Sequence, residues 1–539
     1  MIFLAERRGQ LVTREEIAAH LWGNAVHVDV ESGVNTAIRK LRSALKDSPE
    51  NPAFIETVPG KGYRFVGGVR PLGAPAPSNS VTIVVLPFQN LSSDPEQEYF
   101  SDGLTEETIA ALGRLTPSHI RVIAWTSSMA YKHTRKTAAG IGAELGANYL
   151  IESTVRRAGQ QVRITSKLIR VKEQVQVWNN TYDLELSDML RVQREIGTAI
   201  ARQVGGELSP QAELAAYKAT QDADAHDLYL RGRYYWYQRT PDSMRKSAEY
   251  FEAAVQKDHS YAPAYAGLAD AYVVQALITW TDPREQWNKA RITTEKALSL
   301  DANLAEAHTA AGMASFFMTW DWAAAERSFR RAIELNPNYA IAHQFYGHFL
   351  SWSLRHEEAV AESQKSCELD PLSPMMHTFA AGAFVIARRY GDALPPLKQA
   401  LAIDPDFFPT HSVLGLLYQQ TGKADAAIEE YRKAYRLSGG NIVQLAYQGF
   451  VLGQTGRRAE AEQIITTMNK IAESRFVPPF AFALVYTGLG DRDAAFQWLE
   501  KAYELRDIGL VFLPASPQWD SFRSDKRFQS LLRRCRFPV

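Results

Sequence analysis

Cysteine is almost missing: Cys367 and Cys535 are the two in 539 residues. A disulfide framework and a cysteine-built zinc site are therefore excluded, and the pattern suits a reducing compartment. Net charge is missing too, because 60 Lys+Arg cancel 60 Asp+Glu. Without a global basic field, any nucleic-acid contact must come from a local patch. No run of about 18 apolar residues occurs, so no membrane span is predicted. The opening MIFLAERRGQ has neither a basic-then-apolar signal nor a small-residue cleavage site, so the predicted location is cytoplasmic. What is present is ordinary for a folded chain: 46% hydrophobic and 22% charged residues, too apolar for wholesale disorder. At roughly 100–200 residues per domain, about three to five domains are expected.

Two breaks divide the chain. Residues 70–80, RPLGAPAPSNS, hold three prolines, one glycine and two serines, the composition of a linker. Near 206–222 alternating strand-like and helix-like runs give way to short amphipathic helices rich in Ala, Tyr and Leu.

Beyond the second break a period of 34 appears. Pro337, Pro371 and Pro405 keep it, and so do Ala325, Ala359, Ala393, Ala427, Ala461 and Ala495. Ala332, Ser366, Ala400 and Ala434 form another series. Gly347, Gly415 and Gly449 alternate with the bulky Leu350, Phe384, Tyr418 and Leu452. Small residues let two helices approach, large ones fill the gap, and proline stops the second helix. One such unit cannot bury its apolar face alone, so units stack. This pattern resembles the tetratricopeptide (TPR) family, with about eight units over 225–507. The first two are irregular, since the span from Tyr272 to Ala290 is too long for the standard turn. By the geometry of that family the first helix of each unit lines the concave side, which nominates Gln344, His348, Trp352, Thr378, Ser412 and Gln419 as a groove for a protein partner. Few Lys or Asn stand there, so a C-terminal peptide carboxylate is not the expected ligand. His343, His377 and His411 share one repeat position. Neighbouring repeats lie about 8–10 Å apart and Zn–N bonds are about 2.0–2.1 Å, so these read as packing histidines and no metal is predicted. The tail over 508–539 leaves the period and reads as a closing cap, with Arg533, Arg534 and Arg536 on its polar side.

Residues 1–69 show a different plan. Thr13 with Glu16 has the form of a capping box ahead of the helix REEIAAHLW. A second helix, roughly Ser32 to Lys46, turns Val34, Ala37, Ile38, Leu41, Ala44 and Leu45 inward. Asn35, Thr36, Arg39, Lys40, Arg42 and Ser43 are left outward. IETVPGKGYRFVGGV then reads as a hairpin about Pro59-Gly60-Lys61-Gly62. Two helices and a basic hairpin make a winged helix-turn-helix, whose second helix fits the major groove, with Arg and Lys matching guanine and Asn matching adenine. The stretches VNTAIRKLRSALKD and FIETVPGKGYRFVG closely resemble the OmpR/PhoB-type effector domain, in particular its CadC-like one-component branch. The resemblance implies DNA contacts by Asn35, Thr36, Arg39, Lys40 and Arg42 on the recognition helix and by Lys61, Tyr63 and Arg64 in the wing. Family members begin with a small antiparallel sheet and a complete first helix. Here the chain opens inside that helix, so the opening part of the usual domain is expected upstream or lost. Nine Lys/Arg against eight Asp/Glu over 1–69 put the case on the Arg39-Lys40-Arg42 cluster. No receiver domain precedes it, so phosphorelay control within the chain is not expected.

The middle stretch, 81–205, alternates strands and helices. VLPFQNLSSDPEQEYFSDGLTEETIAAL with VWNNTYDLELSDML resembles the TolB N-terminal-like domain, which implies an interaction or sensing module. Catalytic patterns are absent. Asp94, Glu96, Glu98 and Asp102 read as a capped, solvated loop. Gly140, Gly142 and Gly146 miss the dinucleotide fingerprint, and Ser127-Ser128 lacks a nucleophile-elbow context. The fold class read from sequence is thus multidomain: a truncated winged helix, an α+β TolB-N-like module and an all-α TPR superhelix. The expected function is a one-component transcription regulator, not an enzyme and without cofactor. It binds double-stranded DNA, its other domains sense a signal or bind protein, and occupancy or RNA polymerase contact changes in response. The alternative is a TPR scaffold carrying a relic wing.

Overall fold

The computed structural model describes residues 11–22, 30–45, 47–49, 52, 54–65, 81–92, 94, 97–115, 120–204, 220, 222–278 and 283–537. The opening residues 1–10, the linker 70–80, Lys46, Glu96 and nearly all of the break at 206–222 lie outside them. Two compact units separate, Met1–Pro77 and Ser78–Val539.

The first unit is a three-stranded sheet with two helices: β1 (Leu11–Thr13), α1 (Arg14–Trp22), α2 (Val30–Leu45), β2 (Ile55–Val58) and β3 (Gly62–Phe65). The capping box forms in full, with Thr13 N donating to Glu16 Oε2 at 2.8 Å and Glu16 N to Thr13 Oγ1 at 3.2 Å. Residues 11–13, read from sequence only as the lead into the Thr13 cap, form a strand that pairs antiparallel with β3; the helix inside which the chain was expected to open would lie outside the described residues. Gly62 makes that pairing possible, since a Cβ there would lie 2.1 Å from Val12 O. The core is small: Val12, Ile17, Val34, Ile38, Ile55, Tyr63 and Phe65, which includes the inward face that 3.6-residue periodicity assigns to α2.

The second unit begins with a mixed sheet in the order β6-β4-β7-β8-β9, with β5 beside β7. Its strands are β4 (Val81–Val85), β5 (Gln89–Asn90), β6 (Ile120–Val122), β7 (Tyr149–Ala158), β8 (Gln161–Arg170) and β9 (Val175–Glu185). β4 runs parallel to β6 and β7, and β7, β8 and β9 form an antiparallel meander. Period-2 patterning is plain in β8, where Val162, Ile164, Ser166 and Leu168 are buried and their neighbours are not. Helices α3 (Glu98–Leu115) and α6 (Met189–Gln203) cover one face, with Leu104, Leu112, Val192 and Ile196 in that core. α4 (Trp125–Met129) and α5 (Ala138–Leu145) stand on the other side, where Ile141 and Leu145 meet Val84 and Leu150. Of the expected solvated acidic loop, Asp102 is buried and Lys132 Nζ bridges it to Glu98, at 2.6 Å and 2.9 Å.

From Ala223 to Glu504 the described residues form antiparallel helix pairs. Ala325, Ala359, Ala393, Ala427, Ala461 and Ala495 are all fully buried, because a larger side chain would push the paired helices apart. The glycine series does the same: a Cβ on Gly415 would sit 2.7 Å from the Tyr431 ring. The histidine and proline periodicities prove to be one device. His343, His377 and His411 turn Nε2 to the carbonyls of Pro337, Pro371 and Pro405 at 3.0, 2.8 and 2.9 Å. Each ring ties the turn to the helix that follows it. Among the described residues no group of three or more His, Cys, Asp or Glu is placed to hold a metal.

The turns between repeats also hold the mixed sheet. Asn338 Oδ1 accepts from Val122 N at 2.9 Å, and Asn338 Nδ2 donates to Ile120 O at 3.1 Å. One amide thus pairs the open edge of β6 as a neighbouring strand would. One repeat further on, Asp370 Oδ1 accepts from Ser127 N and Ser127 Oγ at 2.8 and 2.6 Å, and Ala124 N donates to Leu369 O at 2.8 Å. Burial pushes the Asp370 carboxyl up to about 6, against the Ser127 hydrogen bonds that pull it down.

Replacing Asn338 with Ala should lower stability by roughly 1–3 kcal/mol for each backbone group it orphans, read by urea unfolding; an unchanged midpoint would refute the edge-pairing role. Because the folded Asp370 holds its proton more tightly than the unfolded chain, its contribution to stability falls as pH rises from about 4 to about 6 and is level above that. Asp370→Asn should therefore gain on the wild type across that window, and parallel stability–pH curves would contradict the assignment.

Candidate nucleic-acid interface

α2 presents a mixed edge. Arg39 and Lys40 are exposed, as is Lys61 at the tip of the hairpin. None of the three side chains has a hydrogen bond or ion pair to another described residue. Thr36 is half-buried beside them. The other nominated side chains are spent within the fold. Arg42, outward by helical periodicity, is half-buried, and its Nη2 donates to Ile55 O at 2.7 Å and Thr57 Oγ1 at 2.8 Å. It fastens α2 to β2 rather than facing outward. Arg64 Nη1 is paired with Glu56 Oε2 at 2.8 Å across the hairpin. The Tyr63 ring is 3% exposed and belongs to the core. Only its hydroxyl reaches the surface layer, donating to Asn35 Oδ1 at 2.8 Å.

Asn35 itself is exposed, but its carbonyl oxygen is doubly committed. Arg14 Nη1 donates to the same Oδ1 at 2.9 Å, and the Arg14 guanidinium lies 5.3 Å from the Tyr63 ring centroid. A carbonyl oxygen has two lone pairs, so Asn35 is left with only its two amide N–H donors. The bidentate match to adenine, which needs the oxygen as acceptor, is closed to it. What remains is a donor for guanine, thymine or a phosphate oxygen. Arg14 was invisible as part of this site because it lies on the first helix, 21 residues from Asn35.

The inner face of the repeats is less open than the sequence suggested. Residues after 507 do not form a merely polar lid. They carry Leu510, Val511, Trp519 and Phe522 into the main core of the array. Phe512 packs on Trp352 at 4.7 Å and on His348 at 6.0 Å between ring centroids. Burial drives the His348 ring down to about 3, so it is neutral. Gln419 Oε1 accepts from Gln518 Nε2 at 3.2 Å. Thr378 is buried and shares a 2.7 Å hydrogen bond with Thr410. Gln344 is buried, and Ser412 is half-buried. Of the expected cap arginines, Arg534 pairs with Glu500 at 2.9 and 2.8 Å. Trp320 against Tyr503 and Trp322 against Phe537, at 5.6 and 4.6 Å, tie the chain's end back to its third helix pair.

Residues 1–65 match the family described as "Transcriptional regulatory protein, C terminal". Residues 397–513 match a tetratricopeptide repeat family. The chain carries a transcription-regulator DNA-binding domain and tetratricopeptide repeats. Transcriptional regulator HilA of Salmonella typhimurium is 24% identical over 373 residues, covering 69% of this chain and 65% of that protein. A protein of Rhizobium meliloti named as putative adenylate cyclase 3 is 34% identical over 210 residues, 39% of this chain and 34% of that protein. The cholera toxin homolog transcriptional activator of Vibrio parahaemolyticus is 36% identical over 85 residues, 16% of this chain and 29% of that protein. The chain therefore spans between about a third and two thirds of these relatives' own lengths.

Within the regulator domain, the structure separates arginines that build from arginines that are free. Arg42→Ala should speed hydrogen exchange at the Ile55–Val58 amides, matching a local loss of about 1.5–3 kcal/mol for charged hydrogen bonds. Arg39→Ala should leave exchange unchanged within about 0.5 kcal/mol. Equal effects would overturn the distinction.

Proposed function

We propose that this protein is a one-component transcription regulator acting in the cytoplasm. The regulator domain holds double-stranded DNA through the exposed edge of α2, with Arg39 and Lys40 at the major groove and Lys61 of the hairpin on the backbone. Thr36 and the donor-only amide of Asn35 complete that surface. The carrying observation is that these three cations stand exposed and unspent while Arg14, Arg42 and Arg64 are bonded inside the fold. In water an unpaired surface Arg or Lys costs little. Against a phosphate or a guanine edge it gains a charge-assisted bond.

The mixed sheet and the repeats supply the input. We read the sheet as a TolB N-terminal-like module, a reading supported by the hydrophobic β4 followed by α3 and by the long meander of β7, β8 and β9. A protein partner is expected on the repeat array, and contact with RNA polymerase is one output of it. With its own C-terminal segment against Trp352, His348 and Gln419, the array offers Ser412 and the outer helix faces more readily than a continuous groove. No helix among the described residues is long and apolar enough to cross a membrane. The reading is non-enzymatic, and the resemblance to the adenylate cyclase is confined to a 210-residue share.

A gel-shift series on the full chain tests the proposal. Binding should be salt-sensitive, Arg39→Ala should cost roughly 1–3 kcal/mol at one base position, and Lys61→Ala should reduce the salt slope by about one. A full-length protein with no salt-sensitive affinity for any duplex would instead make the chain a repeat scaffold with a relic wing.

A further inference from the structure

A cavity of about 1310 Å³ lies within the second unit, between α3 and α4 of the sheet module and the helices and turns of the repeats. It exceeds the roughly 300–1,000 Å³ of ordinary small-molecule sites. Its walls carry Ile109, Met376, Phe407 and Phe408 beside polar groups. The carboxylates of the wall are engaged. Glu106 holds Arg233, Glu107 holds His226 at 2.9 Å, Glu306 faces Arg114 at 3.9 Å, and Asp370 holds Ser127. Asp301 accepts from Asn303 N at 2.9 Å, Glu334 pairs with Arg331 at 3.2 Å, Asp404 accepts from Asp406 N at 3.0 Å, and Asp406 faces Lys433 at 3.8 Å.

The donors are not so well served. Arg239 follows the helix Ala223–Tyr237 with a left-handed φ of 54°. The residue is half-buried on the cavity wall. Its guanidinium lies 3.6 Å from the Trp236 ring centroid, and no described residue accepts a hydrogen bond from it or pairs with it. Burial pulls it down to about 10, although the Asp270 carboxylate pulls the other way. A guanidinium has five donors and no means of shedding its charge at neutral pH, so, half-buried on the cavity wall without an acceptor, it is placed to gain a charge-assisted hydrogen bond from an anion. Gln344 is 1% exposed, and its amide nitrogen has no partner; the Tyr339 hydroxyl has none either. All three line the same cavity. Donors without acceptors, gathered round a space large enough for an organic molecule, are the complement of a ligand with an anionic group and an apolar body.

We propose that this cavity binds a small organic anion, its carboxylate or phosphate paired with Arg239 and its remainder held by the donors and apolar wall between the sheet module and the repeats. Because the module and the repeats both supply wall, occupancy stabilises their contact. That this occupancy is the signal rests on the regulator reading above. The binding is measured without DNA, so the two claims fail separately.

The test follows thermal unfolding of the full-length chain with succinate, benzoate or inorganic phosphate, against chloride at equal ionic strength. At least one anion should raise Tm by roughly 2–4 °C at saturation, and whether phosphate or a carboxylate does so identifies the class. Arg239→Met, which keeps the packing on Trp236 but removes the charge, should abolish the rise while unfolding at or above the wild-type temperature in chloride. Arg239→Lys should retain part of the rise. Three outcomes would overturn the proposal: no anion above chloride, an equal rise in Arg239→Met (an adventitious ion only), or a fall of several degrees for Arg239→Met in chloride, which would make Arg239 a packing residue.

Discussion

The edge of β6 has to be satisfied, and much of the second unit follows from how this is done. A short edge strand leaves N–H and C=O groups that cost free energy when buried unpaired. The Asn338 amide supplies both partners, at Val122 N and Ile120 O. Asn338 sits in a turn between repeats, so the sheet can be completed only where the repeat array places that turn. Asp370 repeats the arrangement one turn later on Ser127. The module and the array are thus joined by backbone demand, which tolerates far less sliding than apolar contact alone.

A second constraint shapes the array. Tetratricopeptide pairs bury one face against the next pair, and the ends and inner surface must be covered by something. Here the cover is the chain itself. Phe512, Trp519 and Phe522 fill the inner surface, and Trp320 and Trp322 meet Tyr503 and Phe537. What stays open lies beside the sheet module, where Arg239, Tyr339 and Gln344 face a cavity rather than partners. Polar groups are therefore conspicuous at the place where packing is incomplete.

In the regulator domain the same accounting sorts side chains of one chemical type into different roles. Arg42 and Arg64 are cations whose bonds are made at home. Arg39, Lys40 and Lys61 are cations with no partner among the described residues. Arg14 and Tyr63 together fix which atoms of Asn35 remain available. A recognition surface is therefore defined as much by what the fold consumes as by what it exposes.

Periodic features were legible in the linear chain because their physics is local. The 34-residue spacing of Ala325 to Ala495, the inward Val34 and Ile38, the capping box at Thr13 and the hairpin about Gly60 each depend on neighbours a turn or a repeat away. Even the shared position of His343, His377 and His411 was visible, although its purpose on the proline carbonyls was not. Contacts between distant segments could not be read. That Leu11–Thr13 is a strand depends on Gly62, at the far end of the domain. That Arg42 turns inward depends on β2, and that Phe512 covers Trp352 depends on the closure of the array. That Arg239 finds no hydrogen-bond acceptor among the described residues depends on a cavity whose walls come from segments as far apart in the chain as Glu106 and Phe408. Sequence set which residues could pair with their neighbours; the tertiary structure decided which donors found an acceptor, because that depends on chain segments brought together only by folding.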